Sequence, residues 1–584
     1  MRKKYRYIGT LIISASLALQ LCACGAGNTE TENETTISSQ QGESSIENSD
    51  TSIMTDVSVE FKEADDVAVS VDYSEENIIR FSNDSITYEG SGATVSENII
   101  TITSEGRYIL TGSIDNGRVI VDATDDAKVE LVFAEVSITC DNNSPVVVKN
   151  ADKVRIILAD DTENYVCDGP EYELDENDDI TPKSAIYSKC DLVITGNGTL
   201  YVDGKYNNGI ASTDDLIITN GTICVEAVNN GLKGKDSVRI KDGNITITSD
   251  DDGIKSDNDE DSEKGYVYIE NGNIKIAATG DGINADKLIK IENGKIEITE
   301  SDEGIEAQNI IINDGDISIY SNDDGINVSL SDYVSNMMGT NNTNNINNTN
   351  TDSDKMPEDF QNMRDNNFNG GQWQERPDKG GEQNGDMDSQ RPEMPSGENG
   401  NMTEMPSGEN GNESEMIGRG GNKQKQNGMG GFETVDGVLT INGGTIYVNA
   451  KGDGIDSNGS VVQTGGIVIV EGPSDNGNGA LDYNGSYTMT GGTLLAIGSS
   501  GMAMAPSSSS TVYGTSVNTN VNAGDIINVL DGNDEIIKFE ATKRISNIVV
   551  FSDKFSEGKE YTLNMNGNEI EFTAGVVNSN GMGH

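Results

Sequence analysis

Histidine is almost missing from this sequence: the single copy is His584, the final residue. That excludes Ser-His-Asp and Cys-His catalysis and histidine-ligated metals. Basic residues are scarce too, 39 Lys and Arg against 98 Asp and Glu, for a formal net charge of −59. A phosphate backbone would be repelled, so nucleic acid is excluded as a partner. The charge points to cations, or to anionic polymers reached through cations. Aromatics are only 5% of residues, with one Trp, while Gly reaches 67; a coiled coil or helical bundle has no such composition. There is no GxxxxGK[ST] phosphate loop. Cys140, Cys167, Cys190 and Cys224 form no CxxC pair, which argues against zinc and leaves their disulfide state open. With 98 acidic residues a glycosidase-like carboxylate pair can always be found, so that signal carries no information.

What is present begins with an export signal. Arg2, Lys3, Lys4 and Arg6 precede an apolar stretch from Ile8 to Leu21, and Leu21-Cys22-Ala23-Cys24-Gly25 matches a bacterial lipobox. Residues 1–23 read as a lipoprotein signal peptide with Cys24 as the lipidated residue, which predicts an exported, membrane-anchored lipoprotein at the bacterial cell surface. An ordinary secretory signal is the alternative. Residues 24–64 are Ser/Thr/Glu/Asn-rich and are expected to be a disordered, solvated tether.

An internal repeat dominates the rest. Asp242-Gly243-Asn244-Ile245-Thr246-Ile247 recurs as Asn271-Gly272-Asn273-Ile274, Asn293-Gly294-Lys295-Ile296 and Asp314-Gly315-Asp316-Ile317. Each repeat holds two alternating apolar pairs, such as Val238/Ile240 and Ile245/Ile247, and one apolar residue after glycine, such as Ile254. Period-2 runs this short, broken by Asn-Gly or Asp-Gly, predict an all-β, right-handed parallel β-helix of about 22 residues and three short strands per coil. An antiparallel hairpin repeat is the structural alternative. The expected layout is an N-terminal β cap with first coils over 65–182, coils over 183–330, a low-complexity disordered insertion over 331–433, further coils over 434–523 and a C-terminal β cap over 524–584.

An acidic column accompanies the third strand. The residue before its glycine is Asn208, Asn230, Asp252, Asp281, Glu303, Asp324 and Asp453 in turn. Asp251, Asp302 and Asp323 precede these, and Asn284, Glu306, Asn327 and Asp456 follow the glycine. Like charges stacked about 4.8 Å apart repel by roughly 1 kcal/mol even in water. Calcium, which takes 6–8 oxygen ligands, is the natural neutraliser. Three cages are expected: Asp302, Glu303 and Glu306; Asp323, Asp324 and Asn327; Asp453, Asp456 and Asn458. Solvated turn residues are the alternative, since Asp and Asn favour turns before Gly in any case.

Ala185-Ile186-Tyr187-Ser188, Gly231-Leu232-Lys233-Gly234-Lys235-Asp236, Asp252-Gly253-Ile254-Lys255-Ser256, Gly452-Asp453-Gly454-Ile455-Asp456-Ser457 and Gly479-Ala480-Leu481-Asp482-Tyr483 stand in this order. With them, roughly residues 75 to 575, apart from the insertion, resemble exported bacterial carbohydrate-binding β-helix proteins, similar in fold to family 9 polysaccharide lyases. The resemblance implies calcium-dependent, non-catalytic binding of plant-type polysaccharide, acidic pectic chains (polygalacturonate) first and cellulose second. Asn208 and Asn230 stand where that family often has Asp, which argues against calcium at the first coils. One alternative is a pectate lyase with Lys255 as base. The other is a passive adhesin or surface spacer. Tyr187, Tyr201, Tyr266, Tyr268 and Tyr320 are the candidate stacking platforms.

Overall fold

The alternating Ile/Val pairs become short strands with one face sealed. In Asn244–Ser249, Ile245 and Ile247 point inward with 1% exposure each, while Asn244, Thr246 and Thr248 face solvent. The computed structural model describes residues 54–61, 71, 77–173, 180–258, 260–329 and 437–575, and every regular element among them is a strand. Each strand pairs in parallel with its counterpart one coil on. Ile245 lies beside Ile274, Ile274 beside Ile296, Ile296 beside Ile317 and Ile317 beside Ile446. The result is one large, mostly parallel sheet wound as a β-solenoid, with three strand columns per coil. Each fully buried Ile contributes about 1.5–3 kcal/mol of apolar burial, and stacking carries this ladder down the whole interior.

In each coil the second and third columns, as in Ser237–Ile240 and Asn244–Ser249, follow a first column formed by the strand read third in the repeat. That first strand is the shortest: Leu232–Gly234, Ile254–Ser256, Ile326–Val328 and Ile455–Ser457. Glycine before each is required by close approach rather than by its dihedral. A Cβ on Gly253 would lie 2.5 Å from Ile276 Cγ2 and 2.6 Å from the carbonyl oxygen of Gly282 in the next coil.

Both ends are closed by antiparallel pairing, as an exposed strand edge requires. Ile78–Asn83 turns back on Ser85–Glu89 at the start. At the far end Ile545–Ser552 lies antiparallel to Thr493–Gly498 and to Tyr513–Val521. A separate four-stranded antiparallel sheet, Ile526–Asp531 to Asn568–Thr573, packs Leu563 and Phe572 into one core with Leu495, Ile497 and Ile548 of the large sheet. All four described cysteines are free thiols.

Of the expected tether, residues 54–61 are described, and they lie along the solenoid. Asp56 Oδ1 is 2.7 Å from Lys290 Nζ, which also donates to the Val57 carbonyl at 2.9 Å. Asn309 Nδ2 donates to the Met54 carbonyl at 3.0 Å, and the Phe61 ring sits 6.0 Å from that of Tyr268. The physical reason is a period-2 pattern, Val57-Ser58-Val59-Glu60-Phe61, which half-buries its apolar members on the second column of strands. Val71 continues this path onto Ile109, Val132 and Ile157. The signal peptide and Cys24 lie outside the described residues, as does the expected insertion apart from its flanks.

Those flanks are adjacent. Asn309 pairs with Val438 and Ile326 with Ile455, so the ladder resumes in register after the insertion. A Cβ on Gly437 would touch Val328 Cγ1 at 2.7 Å. Deleting residues 335–430 is therefore expected to leave the fold intact and to change the melting temperature by no more than about 2 °C, under 1 kcal/mol for a domain of this size. Calorimetry checks this, and a large drop would mean that the insertion packs on the coils.

Candidate functional site

The residues that precede the first-column glycines share one corner of the solenoid. The N–H groups of Gly231, Gly253, Gly282, Gly304 and Gly325 donate to the carbonyls of Asp252, Asp281, Glu303, Asp324 and Asp453, each one coil on. Side chains join this ladder. Asp252 Oδ1 accepts from Asp281 N at 2.8 Å, Asp281 Oδ1 from Glu303 N at 3.2 Å and Asp324 Oδ1 from Asp453 N at 2.6 Å. One oxygen of each of these carboxylates therefore stabilises the next turn.

The corner changes character along the axis. At its start Asn230 Nδ2 donates to Asn208 Oδ1 at 2.9 Å, an uncharged pair. Asp252 comes next and is neutralised by Lys255 Nζ at 2.6 Å. Beyond it, among the described residues, no Lys or Arg forms an ion pair with Asp281, Glu303, Asp324, Asp453, Asp456 or Asp482.

Asp281, Glu303 and Glu306 bring carboxylate oxygens within 4.8 Å of one another. Asn284 Nδ2 bridges Asp281 Oδ2 at 2.6 Å and Glu306 Oε2 at 3.1 Å. Asn327 Nδ2 and Ser329 Oγ both donate to Glu306 Oε1. Asn327 is only 8% exposed, and its own Oδ1 is sealed from solvent without a hydrogen-bond partner. An orphaned buried acceptor costs about 1–3 kcal/mol. A hard cation would satisfy that oxygen and neutralise the carboxylates together, and the all-oxygen donor set fits calcium.

The titration behaviour agrees. Burial, the hydrogen bond to Asp281 and the charges of Asp281, Glu306 and Asp302 push Glu303 far above the ordinary carboxylate range. Further on, burial and the surrounding carboxylates push Asp324 up to about 6, and Asp453 and Asp456 to about 7.

The sequence grouped ligands within one coil; the structure groups Asp281 with Glu303 and Glu306 from the next coil. Asp302 and Asp323 stand exposed on the rim. Asp251 accepts from Asn229 Nδ2 at 2.9 Å, and Asn458 Oδ1 accepts from Asn484 Nδ2 at 3.1 Å. Burial opposes the charge on Lys255, but Asp252, Asp251 and Asp257 outweigh it and raise its pKa. A general base needs the opposite shift.

The sequence profile of the carbohydrate-binding domain-containing proteins matches residues 96–345. A protein of that description from Acetivibrio thermocellus is 40% identical over 150 residues, 26% of this chain and 52% of the relative. A solved structure, titled a polysaccharide lyase-like protein from C. thermocellum (a gadolinium derivative), is 38% identical across its whole length. It covers 42% of this chain, with a TM-score of 0.41. Residues 96–345 of the chain are thus similar to the carbohydrate-binding domain-containing proteins. It spans about half the length of the curated relative it matches.

The family region contains the Asp281, Glu303 and Glu306 group; Asp453 and Asp456 lie beyond it. Two features of this region escaped the sequence reading. One is a second acidic group, Asp191, Asp214 and Asp215, on another edge. Lys153 reaches Asp191 at 3.3 Å and Arg239 pairs with Asp215, so this group is an ion-pair network. Its signal was an Asp before successive strands, in Asp191-Leu192 and Asp215-Leu216. The other is Tyr165, which stacks on Tyr201 with ring centroids 4.8 Å apart. Of the tyrosines singled out, Tyr187 and Tyr268 are buried and Tyr266 half-buried, while Tyr320 is 43% exposed.

Proposed function

We propose that this chain is a non-catalytic polysaccharide-binding protein whose acidic corner, loaded with calcium, takes acidic pectic chains such as polygalacturonate. The observation that carries the reading is the orphaned Asn327 Oδ1 beside Asp281, Glu303 and Glu306. These four residues and Asn284 would hold the first ion, and Asp324, Asp453 and Asp456 a second. Bound calcium would cancel the corner's charge and offer coordination positions to uronate carboxylates. The protein's own part is to hold the oxygens in line. Coil spacing sets their separation, and the backbone N–H bonds to Asp281, Asp324 and Asp453 fix their rotamers.

Binding is favoured over elimination because Lys255, among the described residues the one lysine paired directly with the column, is kept protonated by Asp252. The coils are taken as right-handed, the hand that parallel crossovers adopt, and a crystal structure would read the hand directly.

Affinity electrophoresis tests the function. Polygalacturonate in the gel is expected to retard the protein with calcium present and not with chelator. Equal mobility in both buffers would count against the reading, and unsaturated product released by the protein would replace it with a lyase. We further propose anchoring at Cys24, because one diacylated cysteine supplies the two chains that stable membrane attachment needs. Cys24→Ala should move the protein from the membrane fraction to the medium; a variant that stays with the membrane sinks the anchor.

A further inference from the structure

The outer face of the third strand column carries a slot that the acidic corner does not use. Tyr165 and Tyr201 occupy neighbouring coils in register, with rings nearly parallel at 10°. They stand up from the sheet and stack along the solenoid axis, because coil separation and aromatic stacking distance nearly coincide. The next two positions in the same row are small. Cys224 pairs with Tyr201, and Thr246 with Cys224. The aromatic stack thus ends at Tyr201, and its free ring face looks over a depression of about 280 Å³ floored by Cys224 and Thr246. Along the depression run Asp203, Glu226 and Thr248, neighbours in the adjacent row.

We propose that this slot binds an uncharged pyranose residue of a polysaccharide, with the sugar ring taking the next place in the tyrosine stack. This rests on the carbohydrate-binding reading and gives it a second, cation-independent site. The chemistry selects the ligand. The electron-rich face of Tyr201 attracts the axial C–H groups of a flat sugar, and only a ring with equatorial substituents lies flush against it. The Glu226 carboxylate and the Thr246 and Thr248 hydroxyls accept and donate to sugar hydroxyls at the ring edge. Lys205 already neutralises Asp203 at 3.1 Å, and the remaining carboxylate on Glu226 disfavours a uronate. The slot is small for a ligand pocket, so it grips one or two residues of a longer chain.

Calorimetric titration with cellohexaose tests this. The full chain is expected to bind it equally with calcium or chelator. Tyr201→Ala should weaken binding by about tenfold or more, and Tyr201→Phe should retain it. Alkylation of Cys224, read by mass spectrometry on unmutated protein, should slow when cellohexaose is present. That readout needs no variant to fold. Mannohexaose, with its axial hydroxyl, should bind more weakly. Unchanged affinity in Tyr201→Ala, or Cys224 alkylation insensitive to saturating cellohexaose, would overturn the slot. Absence of cellohexaose binding alongside calcium-dependent binding of oligogalacturonate overturns the slot alone. Absence of both overturns the carbohydrate reading as well.

Discussion

Calcium added to chelated protein at pH 8 is expected to raise its melting temperature by on the order of 5 °C. Two sites at a hundredfold excess over their dissociation constants supply about 2.7 kcal/mol each, and a domain this large moves by no more than about 2 °C per kcal/mol. The pH dependence provides the sharper check. Asp324 titrates at about 6, and Asp453 and Asp456 at about 7, against an ordinary 3.8. Between pH 4 and 7 the folded state therefore binds more protons than the unfolded chain, and stability must fall as pH rises. Chelated protein should be more stable at pH 5 than at pH 8. Calcium competes with those protons, so its effect should be largest at pH 8 and small at pH 5. The double variant Glu303→Gln/Asp324→Asn keeps the side-chain shapes and removes two carboxylates whose ionisation the corner opposes. It should melt above the unmutated protein in chelator and gain less from calcium. Calorimetry on both proteins in both buffers decides the matter. If unmutated protein melts at one temperature with and without calcium, the corner holds no structural cation, and bridging to acidic glycans through it fails too.

Gly253→Ala should be a damaging conservative change in the coils, destabilising by about 3 kcal/mol. The added methyl meets a carbonyl oxygen at 2.6 Å and an isoleucine methyl at 2.5 Å. Neither can yield without pulling two coils apart, since the Gly253 N–H is bonded to the Asp281 carbonyl. Relaxation would have to widen the acidic corner, so calcium should recover less stability in this variant than in the parent. Urea titrations measure the loss. A change under about 0.5 kcal/mol, the scale of an ordinary surface substitution, would show that the coils can breathe locally.

The solenoid was legible because each coil repeats the same few residues, and period-2 alternation with a fixed glycine leaves few architectures to choose from. Ile245, Ile274, Ile296 and Ile317 were aligned by their Asn-Gly or Asp-Gly neighbours before any pairing was known, and the observed register aligns them the same way. The acidic column was legible for the same reason. Which carboxylates meet was not. Sequence proximity joined Asp302 to Glu303, whereas alternation turns Asp302 outward and stacking brings Asp281 in from the previous coil. The Tyr165 and Tyr201 stack was hidden because the coil of Tyr165 has Thr162 where that of Tyr201 has Gly198, so no shared glycine aligns them. Val57-Ser58-Val59-Glu60-Phe61 was passed over because its polar surroundings outweighed a five-residue pattern.

That short segment has a mechanical consequence. Met54 and Asp56 are fastened at Asn309 and Lys290, many coils in from the first strand at Ile78. Tension arriving from upstream of Met54 reaches these contacts before it can reach the N-terminal cap. The stack of coils is therefore held by its flank, with the pivot well inside its length. The cap strands, the easiest to peel from a solenoid, lie downstream of a clasp that must open first.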